Sequence, residues 1–263
     1  MGKLYLGDQE IGVYQAEKAE VPLVKFTVDA DGKIHKGGDT FVLPSNVKEL
    51  GDEYIFYYLY KGGTVTSADL SSLATISGKY GAYGMFQACT SLTSVDLSSL
   101  TTISGYYGVS SMFYDCKNLT SIDLSSLTTV SGYYGVSSMF YGCSKLTSVD
   151  LSSLTTISNN SAFSYAFQGC SSLTSVDLSS LTNISMSGVF SSAFYGCLKL
   201  KDLRFPALTA DSFGSYTNQF SNMLSGGVTG CTLHFPAAIQ AKIQTLSGYP
   251  KFGGTNTTVL FDL

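Results

Sequence analysis

Charge is what this chain has least of. Asp, Glu, Lys and Arg make up 13% of its 263 residues, about half the share a soluble domain usually carries. Ser, Thr, Gly and Tyr supply the polar surface instead. The net charge of −4 leaves no basic footprint, so nucleic acid is not an expected partner. No apolar run approaches the roughly 20 residues of a membrane span, and none is expected to cross a bilayer. Histidine is scarce, with only His35 and His234. A serine nucleophile needs a base and an orienting group, so abundant serine does not by itself make a hydrolase. There is no C-x-x-C or Cys/His spacing suited to zinc, and no glycine loop of P-loop or Rossmann spacing. The expectation is therefore no enzyme, no catalytic residue, no cofactor and no resident metal. The N-terminal MGKLYLGDQEIGVYQ lacks the basic start, apolar core and cleavage site of a signal peptide. Export by that route is not expected unless a leader has been removed. Leu6 stands where a myristoylation signal needs Ser or Thr.

What the chain has in abundance is self-similarity. Cysteines fall at 89, 116, 143, 170 and 197, each 27 residues after the last. A fixed period of this size is the mark of a solenoid, in which a small unit stacks on copies of itself. Within Cys116–Gly142, Ile122 and Leu124 alternate with Ser121, Asp123 and Ser125, the period of a strand with one buried face. Leu119, Leu127 and Val130 continue the apolar edge, which one unit cannot cover alone. Columns follow from the period. Val95, Ile122, Val149, Val176 and Leu203 form one, and Leu70, Leu97, Leu124, Leu151, Leu178 and Phe205 another. Phe86, Phe113, Phe140, Phe167 and Phe194 form a third, with Leu59 expected in the same register before them. Stacked strands about 4.8 Å apart put like on like. Burying each apolar side chain at roughly 1.5–3 kcal/mol is then the dominant stabilising term.

The unit L-T-S-V-D-L-S-S-L-T-T-I followed by S-x-M-F-Y-G-C resembles the BspA-like, or Treponema-type, leucine-rich repeat from about Phe41 to the C-terminus. Two outer turns, Phe41–Val47 and Leu233–Ala238, are closer still to the family's usual form. The chain departs from it in three ways. Leu127 and its equivalents occupy the region of the usual Asn or Cys, the strand-end proline has become Ser98, Ser125, Ser152 and Ser179, and the GYYG insert lengthens each turn. The resemblance implies an α/β-type repeat: a right-handed leucine-rich-repeat solenoid of about eight turns, with a parallel β-sheet on one side and short turns or helical segments on the other. The expected organisation is an N-terminal β-hairpin segment and cap over 1–40, the solenoid over 41–232, and a capping repeat over 233–263 with a helix and a last strand.

The ends are atypical, as a solenoid's exposed core requires. Lys3–Tyr14 reads as two short strands around Gly7-Asp8-Gln9, and Leu23–His35 as a hairpin turning at Asp29-Ala30-Asp31-Gly32. The D-A-D-G run has half the look of a calcium loop but lacks its first and last carboxylates. The aromatic stretch Glu49–Tyr60 is expected to close the start of the core. Pro236–Leu246 is the one convincing helix, with Ile239, Ile243 and Leu246 on one face. An insertion near Ser225-Gly226-Gly227 delays the next cysteine to 231.

Three sets of residues can carry chemistry. The cysteines, at ladder spacing, are near enough for a disulfide, but five ladder members cannot all pair, and buried free thiols are expected. Asp69, Asp96, Asp123, Asp150 and Asp177 share one outward register, continued by Arg204 and His234. Neighbouring carboxylates there repel by roughly 1 kcal/mol in water, and the column reads either as a solvated, duplicated position or as a cation-seeking ribbon. Tyr106, Tyr107, Tyr133 and Tyr134 lie in the Gly-bounded inserts, with Tyr80 and Tyr83 one turn earlier. At least one of each pair is expected to cover the core; any left exposed would make a binding patch of large contact area at low entropy cost.

The expected role is a non-enzymatic, extended surface for a protein or glycan ligand on a cell or matrix surface, since the resemblance implies adhesion. A phage virion-associated recognition protein and a structural spacer are the alternatives. The N-terminal segment bears a weak likeness to phage tail-associated proteins. Cell-surface, secreted or virion location follows by resemblance alone, and oligomeric state is open.

Overall fold

The computed structural model describes residues 40–263 except 44, 46 and 52–55; before residue 40 it describes four strands. These are β1 (Gly2–Leu6), β2 (Gln9–Tyr14), β3 (Lys25–Val28) and β4 (Ile34–His35). β1 pairs antiparallel with β2 and β3 with β4, so both expected pairs of strands are present. β1 also runs parallel to β3, which joins them in one sheet. The Asp29–Gly32 turn, its calcium-loop likeness and Gly7-Asp8 lie outside the described residues.

From Thr40 the chain winds. The strands are, in order, β5 (Thr40–Val42), β6 (Glu49–Leu50), β7 (Ser67–Asp69), β8 (Thr75–Ile76), β9 (Ser94–Asp96), β10 (Thr102–Ile103), β11 (Ser121–Asp123), β12 (Thr129–Val130), β13 (Ser148–Asp150), β14 (Thr156–Ile157), β15 (Ser175–Asp177), β16 (Asp202–Arg204), β17 (Thr232–His234) and β18 (Thr258–Leu260). The odd-numbered strands β5 to β15 form a six-stranded sheet, and the short β6, β8, β10, β12 and β14 form a five-stranded one beside it. Both are parallel, because each coil returns the chain in the same direction. Register keeps like on like: Val149 pairs with Val176 and Asp150 with Asp177. Only the middle residue of each long strand points inward, which is the predicted period of two. β16, β17 and β18 make a separate parallel sheet, so the ladder breaks between β15 and β16.

The third side consists of turns rather than helix in the regular coils. Alternate amides there serve two purposes. The N–H groups of Tyr107, Val109, Ser111, Phe113 and Asp115 donate to carbonyls of the next coil, from Tyr133 to Tyr141. The N–H groups between them, from Gly108 to Cys116, each close a turn onto the carbonyl three residues back. Every backbone donor in this stretch is satisfied, so the insert can lengthen the coil without burying an unpaired amide. The geometry requires positive φ at every fourth residue, seen at Tyr107, Ser111 and Asp115. An L-residue pays about 1–2 kcal/mol for that conformation and glycine does not. One column, Ala88, Asp115, Gly142, Gly169 and Gly196, has positive φ throughout and is already glycine in its last three members. Ala88→Gly is accordingly expected to raise stability by about 1 kcal/mol, measured as a shift of the urea midpoint.

The core runs the length of the solenoid, with Val95, Ile122, Val149, Val176 and Leu203 buried in one column and Leu70 to Phe205 in the next. Phe86, Phe113, Phe140, Phe167 and Phe194 stack with ring centroids 5.7, 5.7, 5.4 and 5.3 Å apart. The member before Phe86 is not Leu59 but Tyr60, whose ring stacks on Phe86 at 5.5 Å. The Tyr60 N–H donates to Met85 O, so the coil is one residue shorter there than the period assumes. Phe56 and Tyr60 are buried and do help close the first coil.

All six cysteines are free and buried. The Sγ atoms of Cys116, Cys143, Cys170 and Cys197 each donate to the carbonyl of the preceding coil's phenylalanine at 3.0–3.1 Å. Burial pushes Cys89 up to about 12 and raises the other four ladder thiols further. The thiolate is the reactive form. The native protein is therefore expected to leave a disulfide-exchange reagent untouched at neutral pH, and to show six titratable thiols once denatured without reductant. Two or fewer would mean that ladder neighbours are cross-linked.

The coil from β16 to β17 takes 30 residues, with Leu203 opposite Leu233. A 3₁₀-helix at Ala210–Phe213 accompanies the lengthening, upstream of the glycine run where the insertion was expected. Cys231 lies beside β17 and not in the cysteine ladder. The expected C-terminal helix begins as 3₁₀ at Ala237–Ile239 and becomes α1 (Gln240–Gln244), with Ile239, Ile243 and Leu246 buried.

Candidate binding surfaces

The aspartate column is as regular as the period predicts. Asp69, Asp96, Asp123, Asp150 and Asp177 face each other in register along the six-stranded sheet. Each has a local task. One carboxylate oxygen accepts the backbone N–H two residues on, from Ser71, Ser98, Ser125, Ser152 and Ser179, at 2.8–3.0 Å. This aspartate turn bends the chain at the strand end, where the family's usual repeat has proline. Hydrogen bonding by Ser71, hydroxyl first and then amide, holds Asp69 below the usual carboxylate range, and Ser125 does the same for Asp123. Among the described residues no three His, Cys, Asp or Glu side chains gather where they could hold a metal ion.

The column meets the break in the ladder. A cleft of about 490 Å3 lies there, lined by Asp150, Ser175, Asp177, Asp202, Arg204 and their neighbours. Arg204 Nε donates to Asp202 at 2.9 Å, so the cleft's arginine is paired. His234, one of the chain's two histidines, lies in β17 next to this break. Its Nδ1 lies 2.8 Å from Asp262 Oδ1 and its Nε2 3.0 Å from Asp202 Oδ2. Both ring nitrogens are occupied by carboxylates, so the ring ties β16 and β17 to the C-terminal segment and has no nitrogen left to activate a serine. Asp202 and Asp262 were not singled out in the sequence; a buried histidine in a strand, in need of acceptors, is the signal that points to them.

The tyrosines depart from expectation. None of Tyr106, Tyr107, Tyr133 and Tyr134 belongs to the apolar core. Tyr106 is 43% exposed and the other three are half-buried. The turn ribbon beneath has already closed the coil with Val109, Met112 and Phe113, which leaves the rings outside. They stack on one another instead: Tyr106 on Tyr133 at 5.3 Å, Tyr107 on Tyr134 at 5.1 Å, and Tyr80 on Tyr107 at 5.3 Å. Tyr57, Tyr58 and Tyr83 extend the patch to the previous coil. The stretch Glu49–Tyr60 is expected to close the start of the core, but its Tyr57 and Tyr58 lie in this patch against Tyr83 instead. Within the ladder each ring face covers the next, so ring edges and hydroxyls meet solvent. Burial among neighbouring rings pushes the Tyr107 phenol up to about 12.

The profile of the BspA type leucine rich repeat region matches this chain in six copies, over residues 38–134, 82–165 and 140–225. No curated protein matches. Among solved structures, the chain is similar to a leucine-rich repeat protein of T. pallidum, with 21% identity over 70% of this chain and 91% of that one and a TM-score of 0.39. A leucine-rich repeat protein from Bacteroides ovatus shows 20% identity over 84% of this chain and 66% of that one, at a TM-score of 0.30. A leucine rich cell surface protein from Faecalibacterium prausnitzii shows 15% identity over 88% and 92%, at 0.20. No helix among the described residues is long and apolar enough to cross a membrane. With parallel strands stacked in register and the repeat profile matched along most of its length, the chain belongs to the BspA-type leucine-rich repeat family.

Proposed function

We propose that this repeat protein is a non-enzymatic adhesion module that holds a protein or glycan partner on a cell or matrix surface, with the tyrosine ladder as its contact face. The observation that carries this reading is the uncovered ladder, tyrosines continuous over four coils and left outside a core that does not need them. Rigid rings already held by their neighbours lose little entropy on binding, which favours a contact surface over a merely solvated one. The aspartate column offers a second, acidic face whose carboxylates are partly engaged in their own turns.

The test is retention of the labelled chain on whole bacterial cells and on immobilised matrix glycoproteins, side by side. Replacing Tyr106, Tyr107, Tyr133 and Tyr134 by serine is expected to abolish retention while the solenoid stays folded. Undiminished retention by the folded variant would remove the tyrosine face from the reading. Matrix binding alone supports a host-directed adhesin, and a narrow set of bacterial strains supports a virion-associated recognition protein. A chain held by neither surface is a spacer.

A further inference from the structure

The tyrosine ladder ends abruptly. Tyr80, Tyr107 and Tyr134 share one column, and Tyr106 and Tyr133 the next. One coil later the same columns hold Asn160 and Ser161, and the coil after that Ser187 and Gly188. The register does not slip at this point, since Tyr134 N–H donates to Asn160 O and Ser161 N–H to Ser187 O. Tyr133 and Tyr134, whose rings stand 88° apart with centroids 4.5 Å from each other, are therefore each the last ring of a column, beside a shelf of small polar residues. Among the described residues no further ring covers them. The other end of the ladder is different, because Lys61 Nζ sits 4.3 Å from the Tyr58 ring centre and Lys79 Nζ 5.6 Å from that of Tyr80. The chain caps one end with its own cations and leaves the other bare.

The shelf has donors to spare. Asn160 Oδ1 accepts the Ser187 N–H at 3.0 Å, which fixes the amide. Its Nδ2 has no acceptor among the described residues, and neither does the Ser161 hydroxyl. Behind them Asn218 Nδ2 donates to Ser187 Oγ at 2.9 Å, so the floor is held in place. The runs Ser158–Ser161 and Ser185–Gly188 carry no charge. A ring face with negative quadrupole attracts polarised C–H bonds, while fixed amide and hydroxyl groups beside it orient hydroxyls. An uncharged floor selects against ionic ligands.

From this we infer that the step at Tyr133–Tyr134 is a subsite for a neutral pyranose, its C–H face against one of the two rings, the other standing beside it at 88°, and its hydroxyls on Asn160 Nδ2 and Ser161 Oγ. The inference rests on the tyrosine face being the contact surface and names the ligand class that this end of it takes. A pyranose stacks flat on the last ring of a column, which the interior of the ladder does not permit.

Saturation-transfer NMR with methyl β-D-glucopyranoside, methyl β-D-galactopyranoside and methyl N-acetyl-β-D-glucosaminide on the full chain is the test. Transfer from the tyrosine rings to the sugar's ring C–H protons is expected for at least one of them, at a dissociation constant on the order of millimolar. Asn160→Ala, and Tyr133→Ser with Tyr134→Ser, are each expected to weaken it about ten-fold or more. The serine pair uncovers Tyr106 and Tyr107 in turn, but these lie a further coil from Asn160. Tyr133→Phe with Tyr134→Phe keeps the faces and is expected to bind as the native chain does. No transfer to any of the three sugars overturns the inference, as does a phenylalanine pair as impaired as the serine pair. If transfer is absent while surface retention still depends on the tyrosines, the subsite falls and the adhesion reading stands. If transfer follows the variants while surface retention ignores the tyrosines, the adhesion reading falls.

Discussion

Phe140→Ala is expected to cost about 3–5 kcal/mol, the range for deleting a buried ring. The side chain is 1% exposed and lies between Phe113 at 5.7 Å and Phe167 at 5.4 Å. Coils held at strand spacing cannot close over the space, because the turn ribbon bonds Phe113 N–H to Met139 O and Phe140 N–H to Ala166 O on either side. The cavity therefore persists and its cost is paid nearly in full. Phe140→Leu refills most of the volume and should cost about 1.5 kcal/mol or less. Phe113→Ala combined with Phe140→Ala should depart from additivity, since the two rings share one face. Urea denaturation measures all three. Coils couple mainly to their neighbours, so limited proteolysis should also find new cleavage near the substituted coil. An alanine variant as stable as the leucine variant would show that the column packs loosely.

Gly132→Ala is expected to be nearly as damaging, for a different reason. Gly78, Gly105 and Gly132 stack in successive coils. A Cβ at Gly132 would overlap the carbonyl oxygen of Gly105, and one at Gly105 the carbonyl of Gly78. The obstacle is backbone, which cannot rotate away as a side chain can. Relief requires the coils to separate, at the expense of the bonds from Ser131 N–H to Ile103 O and from Tyr107 N–H to Tyr133 O. A loss of about 3 kcal/mol follows from overpacking that cannot relax. Gly51→Ala is the control: its nearest neighbour is a glutamate side-chain atom at 3.4 Å, and a change within about 0.5 kcal/mol is expected. Equal stability of the two variants would remove the close-approach argument. The insert's glycines are thus a packing requirement, and Gly-Tyr-Tyr-Gly is a unit in which the first glycine admits the neighbouring coil and the tyrosines sit outside it.

Much of the fold was legible because a solenoid turns sequence spacing into spatial contact. Once Cys116 to Gly142 was recognised as a unit, its period placed Ile122 on Val149 and Phe113 on Phe140 without knowledge of any dihedral angle. The reading failed where the period itself changed. Leu59 was assigned to the phenylalanine column by counting back 27 residues, and the first coil is one residue shorter, so Tyr60 stacks there. The insertion before Cys231 was placed at Ser225-Gly226-Gly227 because glycines mark loops, whereas the 3₁₀-helix at Ala210–Phe213 lies upstream of it. A register is a sum over all residues between two points, and one missing residue moves every assignment counted across it.

The candidate surfaces divide in the same way. Composition and period determined the parallel stack, the buried columns, the free thiols and the outward aspartate row, since each follows from which residues recur at which spacing. Only the tertiary structure decided which side of the wall the tyrosines occupy. Tyr106 and Tyr107 are apolar enough to bury and polar enough to expose, and the choice depends on whether the space beneath them is already full. The turn ribbon fills it, through alternate amides bonded within and between coils. The pairing of His234 with Asp202 and Asp262, and the break between β15 and β16, were likewise settled by how the last coils meet. Local repetition dictates what stacks on what; where repetition ends, packing against a particular neighbour decides.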